Sequence, residues 1–229
     1  MNKSKKRYQK LTCTKPLLAP ATAAAICLVL IFAPMAYPDT SSAKYKEYEV
    51  KAAFIYNFLK FVDWPEEKMS GDSNEIIIGI IGEDPFGSAA DIFKGKTVED
   101  RKVVVKRFET LEHIKKMAEQ DRNEQLGLIR KCHLLFVCPS EQKLASEITK
   151  LVEKDAVLTV GDNDRFIESG GMINLFIEDN RIRFDINLLA SKKAGLEMRS
   201  QLVRLARKVI KNEQDATPPR TGTDKKDGG

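Results

Sequence analysis

Cys132 and Cys138 flank the apolar run His133-Leu-Leu-Phe-Val137 and are the first residues whose types and spacing suggest chemistry. Two nearby thiols can form a disulfide or a redox switch. The run between them reads as a buried strand, however, and six extended residues span about 20 Å, far beyond the ~7 Å that a disulfide can bridge. Both thiols are therefore expected to be buried, or one to pair between subunits. The spacing is not that of a zinc site, and the chain holds only His113 and His133 as imidazoles. Asp84 and Asp162 each follow a predicted strand, and carboxylates brought together there could hold a cation or exchange protons. Aspartate serves caps and turns more often, and that is the expectation here. Ser140 begins a predicted helix but lies outside any G-x-S-x-G elbow. Gly82-Glu-Asp-Pro-Phe-Gly87 follows the first strand, where open α/β sheets bind ligands, yet lacks the glycine spacing of a dinucleotide loop. Gly170-Gly171 fits a turn of positive φ better than a ligand cradle. Arg181 and Arg183 are two apart and share a strand face, where they serve an anion, an acidic patch or solvent. These residues make no catalytic set, metal cluster or cofactor loop. The expectation is no catalytic residue, no metal and no cofactor; a triad gathered from distant positions would escape this reading.

The elements that must position these residues alternate between strand and helix. Glu75 to Gly82 is a nearly unbroken β-branched run, as in a strand covered on both faces. A short helix is expected to reach Phe93, with a loop from Gly95 to Arg101. Arg101 to Phe108 is a second strand, whose charged ends suggest a place near a sheet edge. Thr110 is expected to cap a helix through about Gln120. Leu134 to Cys138 and Ala156 to Gly161 are further strands. Ser140 is expected to cap the helix between them, which ends near Glu153, and a short helix is expected after Asp162-Asn-Asp164. Met172 to Ile177 and Arg181 to Ile186 flank a short polar turn and form a hairpin. Asn187 is expected to cap a last helix reaching about Lys211, with Leu188, Leu189, Leu196, Leu202, Leu205 and Val209 buried and Arg199, Arg204, Arg207 and Lys208 wet. This order predicts one α/β domain with a mainly parallel sheet, helices on both faces and a C-terminal antiparallel hairpin.

The ends of the chain read differently. Six Lys or Arg lie in the first 15 of the 229 residues, followed by an apolar run from Leu17 to Phe32 and small residues. This is the pattern of a secretory leader, with cleavage expected after Ala36 or Ala43. The run is shorter than the ~20 residues of a spanning helix, so no stable membrane insertion is expected after cleavage. An uncleaved anchor is the alternative. Totals of 38 basic and 33 acidic residues lose six and one with residues 1–43, leaving 32 of each. The basic balance thus belongs to the leader, and nucleic acid is not an expected partner. Residues 44–211 form the expected domain, and 212–229 have almost nothing to bury.

Lys51-Ala-Ala-Phe-Ile-Tyr-Asn-Phe-Leu-Lys-Phe-Val-Asp-Trp-Pro65 would open the mature protein. Tyr48, Ala52, Ile55, Leu59 and Val62 recur at helical spacing, predicting a helix from about Tyr45 to Val62 that Pro65 stops. Phe54, Phe58 and Phe61 form a second stripe. A helix so apolar must be covered by its own domain or by a partner. Aromatic stripes usually belong to the core. Trp64, the only tryptophan, stands at the helix exit and is the better interface candidate. The candidate partner face comprises Phe54, Tyr56, Asn57, Phe61 and Trp64.

This opening segment resembles the first motif of the YfiR/HmsC-like periplasmic proteins. Five further blocks agree in order and approximate spacing: Gly82 to Gly87, Cys132 to Phe136, Val157 to Asp162, Phe166 to Ile173, and Arg183 to Leu188 with Ala194-Gly-Leu196. Together they span Tyr48 to Val209. Asp84, Pro85, Phe86, Gly87, Gly170, Gly171, Met172, Arg183 and Asn187 are the motif positions carried forward. The resemblance implies a periplasmic α/β protein, often a homodimer, that holds a membrane-bound diguanylate cyclase inactive by contact with its periplasmic part. Cyclic-di-GMP and biofilm formation would then fall. Cys13 and Cys27 leave with the expected leader, and the remaining Cys132 and Cys138 are too few for the two internal disulfides of some members, so redox sensing is not carried over. The alternative is a periplasmic small-ligand-binding or accessory module for a transporter or sensor kinase, with its ligand at the strand ends.

Overall fold

The structure, a computed structural model, describes residues 40–70, 74–213 and 215. The expected leader up to residue 39 and the expected tail from 216 onward lie outside the described residues. The described part forms one compact unit.

Helix α1 (Thr40–Lys60) contains the predicted stripe, and Tyr48, Ala52, Ile55 and Leu59 are all buried, with Val62 just beyond. The helix ends earlier than expected. Val62–Asp63 leaves it as strand β1 and pairs antiparallel with β9 (Glu197–Met198). Pro65 acts later, with φ −62° and ψ 149°, as the cap of the short helix α2 (Glu66–Met69).

Among the described residues, the main sheet holds eight strands in the order β10-β8-β7-β6-β5-β2-β4-β3. They are β2 (Glu75–Ile81), β3 (Thr97–Val98), β4 (Arg101–Phe108), β5 (Leu134–Val137), β6 (Leu158–Gly161), β7 (Ile173–Glu178), β8 (Arg181–Asn187) and β10 (Val209–Ile210). Strands β4, β2, β5, β6 and β7 run parallel. The β7–β8 hairpin is antiparallel as expected, with Asp179 and Asn180 at φ 49° and 59° in its two-residue turn. That is the left-handed turn whose twist matches the strands it joins.

The β-branched run of β2 is buried on both faces for a visible reason. Ile76, Ile78 and Ile80 join the cluster under α1, while Ile77 and Ile81 join the cluster beneath helices α3 (Leu111–Lys116), α4 (Glu119–Arg130) and α5 (Ala145–Leu151). Gly79 lies between Ile78 and Ile80 because a Cβ there would sit 2.8 Å from Cys132 Sγ. Each large aliphatic side chain so buried contributes about 1.5–3 kcal/mol.

Several local expectations are corrected. The loop from Gly95 to Arg101 contains β3, which turns back onto β4 through Glu99 and Asp100, both at positive φ. Thr110 does cap α3, its hydroxyl accepting from His113 N at 3.2 Å, but α3 stops at Lys116 and α4 follows. Ser140 is no cap; it lies inside a 3-10 helix, Pro139–Leu144. The residues after Asp164 form turns rather than a helix. Asn187 caps as expected, its Oδ1 accepting from Ala190 N at 3.0 Å, yet helix α6 (Leu188–Lys193) covers only six residues. Gly195 at φ +74° breaks it. The chain then forms β9, helix α7 (Ser200–Val203) and β10, and Leu205 is exposed rather than buried.

Candidate functional site

The chain enters the sheet at β2, moves outward to β4, then crosses back to β5 on the other side of β2. Open α/β sheets bind ligands at the carboxyl ends of strands beside such a reversal. Here the chain's own side chains occupy that place. Ser140 Oγ accepts from Glu83 N at 3.0 Å. A Cβ on Gly82, whose φ is +100°, would meet that oxygen at 2.5 Å. The buried Glu141 carboxyl accepts from Leu111 N at 3.1 Å, and its burial raises its pKa.

The next strand end, at β6, is locked by α1. Asp162 Oδ2 accepts from Tyr48 Oη at 2.6 Å and from Lys51 Nζ at 2.8 Å. Lys51 also reaches Glu47 at 2.5 Å, and its side chain is 4% exposed against 1% for Asp162. Burial, followed by the Asp162 charge, drives the Tyr48 phenol pKa up, so the phenol stays a donor. Asp162 Oδ1 and both polar side-chain atoms of Asn163 are buried without a protein partner. Asp84 does not share this site's bonds. Its Oδ1 accepts from Phe86 N at 2.8 Å and its Oδ2 from Arg107 Nε at 2.7 Å. The two aspartates therefore serve a turn and two separate ion pairs rather than one carboxylate pair.

The remaining motif positions fall into separate places. Phe86 is core, edge-on to Tyr48 at 5.2 Å and to Phe136 at 4.7 Å. Pro85 is half-buried beside it, and Gly87 at φ +50° opens the 3-10 helix Gly87–Phe93. Gly170 at φ +87°, Met172 and Asn187 line one cavity of about 260 Å³ between α5 and α6. Gly171 is packed on the Phe166 ring, where a Cβ would come within 2.2 Å. Arg183 is exposed on the hairpin, as is Arg181. Cys132 and Cys138 are free and buried, and burial pushes the Cys132 thiol up to about 12 and the Cys138 thiol higher still.

The candidate partner face divides along α1. Phe58 is core, and Phe54 and Phe61 are half-buried against it. Phe54 lies 5.9 Å from the Phe184 ring. Tyr56 donates to Thr97 O at 2.9 Å, with Lys60 Nζ 4.2 Å from its ring centre. Asn57 is exposed. Val50, Phe54, Asn57 and Phe61 follow helical spacing along one outer stripe, and Val50 is 46% exposed. A C-terminal strap runs alongside. Arg199 N donates to Phe61 O at 2.9 Å, and its guanidinium grips Asp63 at 2.5 Å. Farther on, Arg207 N donates to Phe184 O at 3.0 Å. Between these anchors Leu205 stands 71% exposed. Sequence reasoning placed Leu205 in the core because it assumed one continuous helix. Trp64 is half-buried; its Nε1 donates to His133 O at 3.2 Å and its ring stands edge-on to the imidazole. It braces the amino ends of the strands.

Among solved structures, the chain is similar to a conserved domain protein from Vibrio cholerae O1 biovar El Tor at 10% identity, covering 71% of this chain and 60% of that one, with a TM-score of 0.47. It is also similar to an ABC domain in complex with L-Trp from Streptococcus pneumonia, at 12% identity, 59% and 55% coverage and a TM-score of 0.41. The chain thus spans less than two thirds of either protein. Among curated proteins, none matches. Among the described residues, no helix is long and apolar enough to cross a membrane. The sequence matches the YfiR/HmsC-like family, one of periplasmic regulatory proteins, over residues 48–207, and the chain belongs to that family.

Proposed function

We propose that this protein is a periplasmic regulatory binding protein that represses a membrane-bound diguanylate cyclase through contact with its periplasmic part. Cyclic-di-GMP and biofilm formation fall as a result. The observation that carries this reading is the outer stripe of α1. Val50 and Leu205 expose apolar surface, and Phe54 and Phe61 are half-buried. Patches of this kind mark association sites. Family membership supports the kind of partner. Residues 1–43 act as the leader, 44–211 as the binding domain and 212–229 as a polar tail.

Repression then requires tighter binding to the inactive cyclase than to the active one, because equal affinity shifts no population. A regulatory rather than catalytic role is supported by how the chemical groups are spent. Ser140 accepts a backbone hydrogen bond, the two thiols are held protonated, and His133 Nδ1 accepts from Ile77 N at 3.0 Å. A homodimer through the same stripe would compete with the cyclase, and light scattering at micromolar concentration reads it. Deletion of the gene should raise cellular cyclic-di-GMP, with reversal by the secreted protein and not by a leaderless one. An unchanged level would overturn the reading.

A further inference from the structure

At the amino ends of β5 and β6 a cavity of about 600 Å³ opens beneath the Trp64-Pro65 corner. It is far from neutral. Lys68, Arg130, Lys131 and Lys154 line it, against Glu67 and Asp155. Lys68 is held in place by the backbone, its Nζ donating to Asp155 O at 2.7 Å and Arg130 O at 2.8 Å. An ammonium has three protons, so one remains for a ligand. Burial lowers the Lys68 pKa, a cost that an anion beside it would offset.

A second group points to the same chemistry. His133 is 6% exposed and lines the cavity. Its Nδ1 accepts from Ile77 N, which makes Nε2 the protonated nitrogen of the neutral ring. Among the described residues no group accepts from Nε2. A nine-tenths-buried side chain thus brings an unspent donor to a cavity rimmed by cations. Ile77 and Ala156 supply apolar wall beside it.

We propose that this cavity binds a small amphipathic anion, with a carboxylate or phosphate head among Lys68, His133 and the rim cations and an apolar body against Ile77 and Ala156. Trp64, the only tryptophan in the chain, touches His133 and reports occupancy. The site stands apart from the cyclase-binding stripe, so either reading can fail alone.

The test titrates the protein with benzoate, phenyl phosphate, inorganic phosphate and benzyl alcohol, followed by calorimetry and tryptophan fluorescence. Saturable binding by benzoate or phenyl phosphate is expected, with the tighter of the two naming the head group. The Lys131→Glu/Lys154→Glu variant changes only exposed side chains and should weaken it by about 10-fold or more. The control variant Lys150→Glu/Lys193→Glu, outside the cavity, should bind as the parent does. No heat and no fluorescence change up to ~10 mM overturns the site. Equal binding by the first double variant also overturns it. Inorganic phosphate or benzyl alcohol binding as tightly as phenyl phosphate overturns the ligand class.

Discussion

The inner and outer faces of α1 have the same composition at first glance and entirely different surroundings. Inward, Tyr48, Lys51, Ile55 and Phe58 are buried, and Lys51 and Tyr48 converge on one aspartate more than a hundred residues away. Outward, Val50, Asn57 and Lys60 meet solvent and Phe54 and Phe61 are half-covered. The inner face is accounted for by stability alone. The outer face is not: exposing valine beside phenylalanine gains the fold nothing. One helix therefore locks the carboxyl end of β6 with one face and leaves apolar surface uncovered on the other.

The largest effect should come from breaking the inner lock. Lys51→Ala leaves the Asp162 carboxylate buried with Tyr48 alone and should cost about 3–5 kcal/mol, the usual penalty for orphaning a buried charge. Urea unfolding measures it, and a loss below ~1 kcal/mol would mean the pair is hydrated and the lock is not structural. Gly82→Ala tests the neighbouring plug. It must force φ +100° on a side-chain residue and push its Cβ into Ser140 Oγ, for about 1–3 kcal/mol.

A smaller effect separates the amino ends of the strands from this lock. Burial, then the Lys68 charge, lowers the His133 pKa from 6.5 to about 4. The unfolded chain therefore binds more protons than the folded one in that interval. Stability conferred by the neutral imidazole is complete above pH 6.5 and is lost as pH falls toward 4. Glu141, with its carboxyl raised, acts in the opposite direction. His133→Asn keeps an acceptor for Ile77 N and removes the titration. Its unfolding free energy should vary less steeply with pH than the parent's over this window. Identical slopes would contradict the assignment. The smallest effect belongs to the outer stripe, where Val50→Glu should change stability by no more than ~0.5 kcal/mol, as measured by the same unfolding experiment.

Much of this contrast was legible in the sequence. The β-branched runs named the parallel strands, and the polar turn after Ile177 named the hairpin. The spacing of Tyr48, Ala52, Ile55, Leu59 and Val62 named the buried side of α1. What was missed has physical causes. Strands β1, β3, β9 and β10 are two residues long, too short to show alternation. Helix α4 buries only Ile129, so it carries almost no apolar period. The C-terminal leucines mimic one helix, which Gly195, the pairing of β9 with β1 and the extended Arg199 break up. Lys51 was read as one motif residue among many, because its partner Asp162 is 111 positions away. Lys68 and His133 gave no sign of a shared cavity, since segments from five parts of the chain assemble it.

The proposed repression is tested most directly by calorimetric titration of the purified protein with the periplasmic domain of a membrane diguanylate cyclase from the same genome. Saturable binding by the parent is expected. Val50→Glu and Leu205→Glu, both of which should unfold like the parent, should each weaken it by about 10-fold or more. Full-strength binding by both variants, or no binding by the parent to any such domain, would contradict it.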